Sequence, residues 1–205
     1  MVDITQDDIT KAINYAESVH GADRGGHGIG HIRRVMDNAR MIMNEVDGKY
    51  SRSLVLFCCA LHDVDDKKLV SPGEQSRLNK FLLENEYPAE LCDCVKDIIS
   101  RVSFSENRGD DGDSLSLEAK IVRDSDRLDA LGAVGIARAF AYGGKTDRPM
   151  FCTDGEKSSE QHFYDKLLIL PSLMLTVHAA AEANRRVEFM REFIAELHSE
   201  IPREK

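Results

Sequence analysis

The chain has 205 residues, a length that suits one domain and is ample for a buried core. Hydrophobic residues make up 42% and charged residues 31%, the ordinary balance of a soluble globular protein. The net charge of −9 argues against a non-specific binder of nucleic-acid polymers, though a few Lys and Arg can still gather around a small anion. No apolar run is long enough to span a bilayer. The start, Met-Val-Asp-Ile-Thr, has neither the basic nor the apolar region of a signal peptide. The five cysteines are odd in number and form no CxxC pair. Together these features predict a cytoplasmic protein with reduced, mostly buried thiols.

Apolar residues recur at helical spacing almost throughout. A first helix is expected from about Thr5 to His20, with Thr5 and Asp8 in capping-box positions. A Gly-rich break from Gly21 to Gly30 follows. Ile29, Ile32, Val35, Met36, Ala39, Ile42, Met43 and Val46 then trace an amphipathic helix that stops near Asp47-Gly48. The run Leu54–Leu61 has the length of a buried strand, but no second strand exists to pair with it. No turn residue interrupts Ser51–Asp63, so helix is favoured there. Ser71-Pro72-Gly73-Glu74 reads as a helix start, with an end near Glu86. Pro88 opens another helix to about Ser100, and the polar stretch Ser103–Ser114 reads as a loop.

A helix resumes near Leu117 and runs, with a break, to Ala141. Tyr142–Lys157 holds three glycines and a proline and reads as a long loop. Ser158 and Gln161 cap a further helix, and Pro171 separates it from a last one. On that last helix Thr176, Ala180, Ala183, Val187, Met190, Ile194 and Leu197 share one face. The expected architecture is all-α, with roughly eight helices. Gly132 and Gly135 are expected to admit a close neighbouring helix. Asp110-Asp111-Gly112-Asp113 lacks the spacing of a calcium loop and reads as a solvated turn.

His62 and Asp63 close the apolar run. A carboxylate at the end of a buried element needs a partner, because desolvating it costs several kcal/mol. A cation is one such partner. Two further candidates, His31 and Asp126, fall where the apolar stripe of each helix points inward. Two His and two Asp make a nitrogen and oxygen set suited to Mn²⁺, Mg²⁺, Fe²⁺, Ni²⁺, Co²⁺ or Zn²⁺, with Mn²⁺ or Mg²⁺ favoured.

A His, then His-Asp, then Asp on separate helices resembles the HD-superfamily metal-dependent phosphohydrolases. The match consists of His31-Ile32-Arg33-Arg34-Val35, Leu61-His62-Asp63-Val64-Asp65-Asp66 and Ser125-Asp126-Arg127-Leu128. The wider run Ser116–Ala133 and His162-Phe163-Tyr164-Asp165-Lys166-Leu167 is similar to a small stand-alone bacterial subgroup, and the likeness extends from about Tyr15 to Leu197. The chain departs from the pattern at His27-Gly28, where many relatives have His-Asp, and at Ser125, where Ala is usual.

The resemblance implies an HD helical bundle over residues 1–205 with a C-terminal helical extension at about 158–200. It implies one metal, held by His31, His62, Asp63 and Asp126. Asp66, three residues after Asp63, returns to nearly the same helical face and is the expected proton-transfer group. Candidates for meeting phosphate charge are His27, Lys67, Lys68, Arg127, Arg138, Lys145, Arg148, His162 and Lys166. The implied substrate is a small phosphorylated compound, a nucleotide first of all, with pyrophosphate released from a nucleoside triphosphate. Rival readings are a nucleoside monophosphate phosphatase and a non-catalytic nucleotide sensor. Nucleic-acid polymer and membrane are not expected partners; a homodimer is allowed.

Overall fold

Thr5 starts the first helix, α1 (Gln6–His20), with both halves of the expected capping box. Its side chain accepts from the Asp8 amide, and the Asp8 carboxylate accepts from the Thr5 amide. The computed structural model describes residues 3–21, 28–65, 75–103, 112–151 and 157–201. Among these are nine α-helices, one 3₁₀ helix and no strand. After α1 come α2 (Ile29–Met43), α3 (Arg52–Leu61), α4 (Arg77–Glu84), α5 (Ala89–Ser100), α6 (Leu117–Asp129), α7 (Gly132–Lys145) and α8 (Gln161–Asp165). The 3₁₀ helix (Leu167–Leu173) and α9 (Val177–Glu200) complete the described chain. None of these helices is long and apolar enough to cross a membrane.

The Leu54–Leu61 run is helix, capped by the Ser51 hydroxyl, which accepts from the Leu54 amide. Its unbroken apolarity follows from its position. Helix α3 packs against α1, α2, α5 and α6, so a helix that is apolar all round finds cover on every side. Helix α2 lies along α6, where Asn38 donates to the Ser125 carbonyl at 3.0 Å. Cys58, Cys59 and Cys92 are buried free thiols, and burial pushes those of Cys58 and Cys59 up, so they serve as core.

Three boundaries differ from expectation. Helix α4 begins at Arg77 after the cap Ser76. The expected start at Ser71–Glu74 lies outside the described residues, as do Asp110 and Asp111 of the expected turn and Cys152. The Asp65 carboxylate accepts from the Ser76 hydroxyl at 2.5 Å and the Arg77 amide at 2.6 Å, so it too is part of the α4 cap. Helix α7 runs on to Lys145 through Gly143 and Gly144, placing Lys145 in its last turn and not in a loop. Glycine is needed at 143 because a side chain there would collide with the Ser159 hydroxyl. Helix α8 has only five residues, and the Ser158 hydroxyl accepts from the Gln161 amide as expected.

The break between α6 and α7 falls at Ala130-Leu131, and Gly132 makes it with φ +73°, a conformation costly for other residues. Gly132 also admits a neighbour, since the Arg186 side chain of α9 lies 3.3 Å from where a Cβ would stand. Gly135 is needed by its own chain instead: a Cβ there would sit 2.1 Å from the Ala130 carbonyl oxygen. This tight corner folds α7 back toward the end of α6.

One buried carboxylate joins α6 to the last helix. Asp124 accepts from the amides of Leu175 and Thr176, at 3.0 and 2.8 Å, and from the Thr176 hydroxyl at 2.8 Å. It caps α9 from a distant helix. Asp124→Ala leaves these donors buried and should lower stability by roughly 2–4 kcal/mol, read as a lower urea midpoint. An unchanged midpoint contradicts this role.

Candidate metal centre

Three helices deliver the site. His31 sits in the first turn of α2, His62 and Asp63 follow directly on the end of α3, and Asp126 lies near the end of α6. His31, His62 and Asp63 each place one donor atom within 4.8 Å of the others. Asp126 joins them: its Oδ1 lies 3.5 Å from Nε2 of both His31 and His62. The Asp63 Oδ2 is 3.8 Å from His31 Nε2. The His-Asp pair therefore meets its distant His and Asp partners around one point, as the sequence pattern implied.

The hydrogen bonds fix how the two imidazoles are used. His31 Nδ1 lies 2.7 Å from the Asp129 carboxylate, and His62 Nδ1 lies 2.9 Å from the Cys59 carbonyl. Both partners are acceptors, so each Nδ1 carries the proton and each Nε2 presents its lone pair. Those two Nε2 atoms face each other at 3.3 Å, with Asp126 beside both. Two lone pairs and two carboxylates can share such a space only around a proton or a cation.

The spacing is compatible with a cation. Two nitrogen donors each about 2.1 Å from one ion, in adjacent positions, lie roughly 3.0–3.4 Å apart. The observed nitrogen pair falls in that interval, and the Asp126 distances lie just above it. The donor set fits one divalent ion.

Electrostatics agree. Burial opposes protonation of His62, but its contact with Asp126 and the charge of Asp63 outweigh that and push it up to about 9. Burial holds His31 below the usual histidine range, only partly offset by Asp129. Burial would raise Asp126, yet His62 and His31 hold it low. Without metal, Asp126 and Asp63 thus favour a proton on His62. A cation replaces that proton.

Sequence reasoning missed the residue that orients His31. Asp129 is 2% exposed and accepts from His31, from Arg34 Nε at 2.6 Å, from a second Arg34 nitrogen at 3.1 Å, and from Arg138. These donors outweigh its burial and hold its carboxyl well below the usual range. The signal was present in the spacing. Asp129 follows Asp126 by three residues, as Arg34 follows His31, so each pair shares a helical face.

The phosphate-binding candidates separate. Arg138 stands at the centre, half-buried against Asp129, with Nη1 3.3 Å from His31 Nδ1. Arg127 does not fit that role: it is 3% exposed and donates to the Leu173 carbonyl, so it ties α6 to the 3₁₀ helix. Lys145 is exposed at the end of α7, and Lys166 ends α8. His162 lines a small polar cleft with Arg148, Lys157, Ser158, Gln161 and Asp165. His27, Asp66, Lys67 and Lys68 lie outside the described residues.

A model of the HD domain matches residues 28–131, which includes all four donors and Asp129. The chain belongs to the HD-domain family. The Bacillus subtilis protein YpgQ is 35% identical over 190 residues, covering 92% of this chain and 91% of that protein. A YpgQ structure in complex with ADP superposes with TM-score 0.76 at 32% identity, covering 95% of this chain and 98% of that one. A Lactobacillus plantarum structure gives TM-score 0.84 at 31% identity, covering 97% and 98%. An HD-superfamily hydrolase from Bacillus thuringiensis gives 0.73 at 36% identity, covering 95% and 97%. This chain is thus similar over its length to small bacterial HD proteins.

With His62 pushed up to about 9 by Asp126 and Asp63, Mn²⁺ binding at pH 7.5 should release about one proton. Calorimetry in buffers of different ionisation enthalpy measures this. Mn²⁺ binding with no proton release contradicts the assignment of His62 as a ligand.

Proposed function

We propose that this HD protein is a metal-dependent phosphohydrolase that acts on a nucleotide, releasing pyrophosphate from a nucleoside triphosphate. The observation that carries the reading is the pair of Nε2 lone pairs facing each other beside two carboxylates. Such a cluster is built to hold a cation, and in this family the partner chemistry is hydrolysis. A relative crystallised with ADP supports a nucleotide as the ligand class.

The bound ion would make a water acidic and draw electron density from a phosphoryl oxygen. His31 and His62 hold it through nitrogens whose opposite faces are fixed by Asp129 and the Cys59 carbonyl. Asp63 and Asp126 supply negative charge that keeps it there. Water would attack the α-phosphorus, breaking the bond to the bridging oxygen and releasing pyrophosphate. Asp66 takes the proton from that water. Its neighbour Asp65 is anchored to the start of α4, which fixes where the chain departs after Asp63. Arg138, whose Nη1 lies 3.3 Å from His31 Nδ1, supplies positive charge beside the cluster, with Lys67, Lys145, His162, Lys166 and His27 as further contacts to phosphate.

A panel of nucleoside triphosphates and monophosphates with Mn²⁺ or Mg²⁺, scored for pyrophosphate against phosphate, tests this. Pyrophosphate from triphosphates supports the reading. Phosphate from monophosphates supports a phosphatase instead, and no turnover of any member supports a sensor. Asp66→Asn should keep Mn²⁺ binding and lose about 10²–10⁴-fold in turnover. Turnover at the parent rate removes Asp66 from proton transfer.

A further inference from the structure

A cavity of about 400 Å³ is lined by none of the four donors. It lies where α2, the start of α7 and the middle of α9 meet. Leu131, Val134 and Phe189 form an apolar wall, and Arg34, Arg185 and Arg186 form a basic one. Phe189 is 48% exposed and Val134 41%, which is high for such residues in a packed helical protein. The volume is that of a small-molecule site, and an apolar wall with convergent charges is the usual composition of one.

The charge around the cavity runs against the charge of the chain. Arg34 and Arg138 share Asp129, Arg185 and Arg186 share Glu182, and Arg40 takes Asp37. Five arginines thus meet three carboxylates in a protein whose net charge is −9. In the lining itself, Arg34, Arg185 and Arg186 face two carboxylates, Asp37 and Asp129. Asn38, which donates to Ser125 and accepts from Arg186, adds a fixed polar edge.

We propose that this cavity is a second, non-catalytic binding site for an aromatic anion of nucleoside monophosphate size, coupled to the metal cluster through Arg34 and Asp129. The ring lies against Phe189 and Val134, and the phosphate meets Arg34, Arg185 and Arg186. Asp129 belongs to both sites: it lines the cavity and holds Nδ1 of His31, the side of the imidazole away from the metal-facing Nε2. An anion drawn to Arg34 competes with Asp129 for that guanidinium. Asp129 then gives more of its charge to His31, and the anion adds negative charge near the cluster. Both effects tighten cation binding, and by reciprocity the cation tightens anion binding. The coupling part of this proposal rests on the metal-centre reading; the binding part does not.

Titration calorimetry of the full-length protein with AMP as probe, with and without Mn²⁺, tests it. AMP should bind at one site, and inorganic phosphate or adenosine alone should bind at least tenfold more weakly. The double variant Phe189→Ala, Arg185→Ala removes exposed side chains of α9 and should weaken AMP tenfold or more with unchanged helicity. Val134→Trp should fill the cavity and do the same. Asp126→Ala should still bind AMP. Saturating AMP should raise Mn²⁺ affinity about fivefold or more. AMP binding that is lost in Asp126→Ala but indifferent to Phe189, Arg185 and Val134 places the ligand at the metal cluster and overturns the second site, leaving the hydrolase reading intact. Unchanged Mn²⁺ affinity at saturating AMP overturns the coupling.

Discussion

The hydrogen bond between the Asp129 carboxylate and His31 Nδ1 is the contact on which the site depends. It selects the tautomer of a buried imidazole and fixes its plane, so that Nε2 points at His62, Asp63 and Asp126. Asp129 can remain charged at 2% exposure only because Arg34 and Arg138 meet it from α2 and α7. One carboxylate thereby locks three helices around the metal cluster. The tight corner at Gly132, which brings α7 back over α6, is what lets Arg138 reach it.

Acidic groups crowd the end of α6. Asp124, Asp126 and Asp129 follow at short intervals, and each has a different use. Asp124 caps α9, Asp126 faces the two imidazoles, and Asp129 steadies one of them. Burying such groups costs several kcal/mol apiece unless each is paired. The partners are backbone amides for Asp124, arginines for Asp129 and, in our account, a divalent cation for Asp63 and Asp126. A proton on the histidine pair stands in for that cation when it is absent, which is why His62 is held up near 9.

Most of the architecture was legible in the chain. Helical spacing found the elements, and Thr5, Pro88 and Ser158 marked starts that the structure keeps. The apolar run before His62 could be read as helix because nothing existed for a strand to pair with. The His31, His62-Asp63 and Asp126 pattern was found through the family resemblance, and the structure brings these side chains together. What failed depended on tertiary contact. Helix α7 continues through two glycines, one of which is required by the Ser159 hydroxyl, a contact no local pattern reveals. Arg127 looked like a phosphate ligand beside Asp126, yet one residue along a helix turns it to the other side, toward Leu173. Asp129 went unassigned although its spacing from Asp126 put it on the same face.

The central claim is that His31, His62, Asp63 and Asp126 hold one divalent ion. A crystal of the protein grown with Mn²⁺ and measured for anomalous scattering tests it most directly. The account predicts one strong peak bounded by the two Nε2 atoms and the two carboxylates, and no such peak in Asp126→Ala. A map without a peak there, or with the ion bound elsewhere, contradicts it.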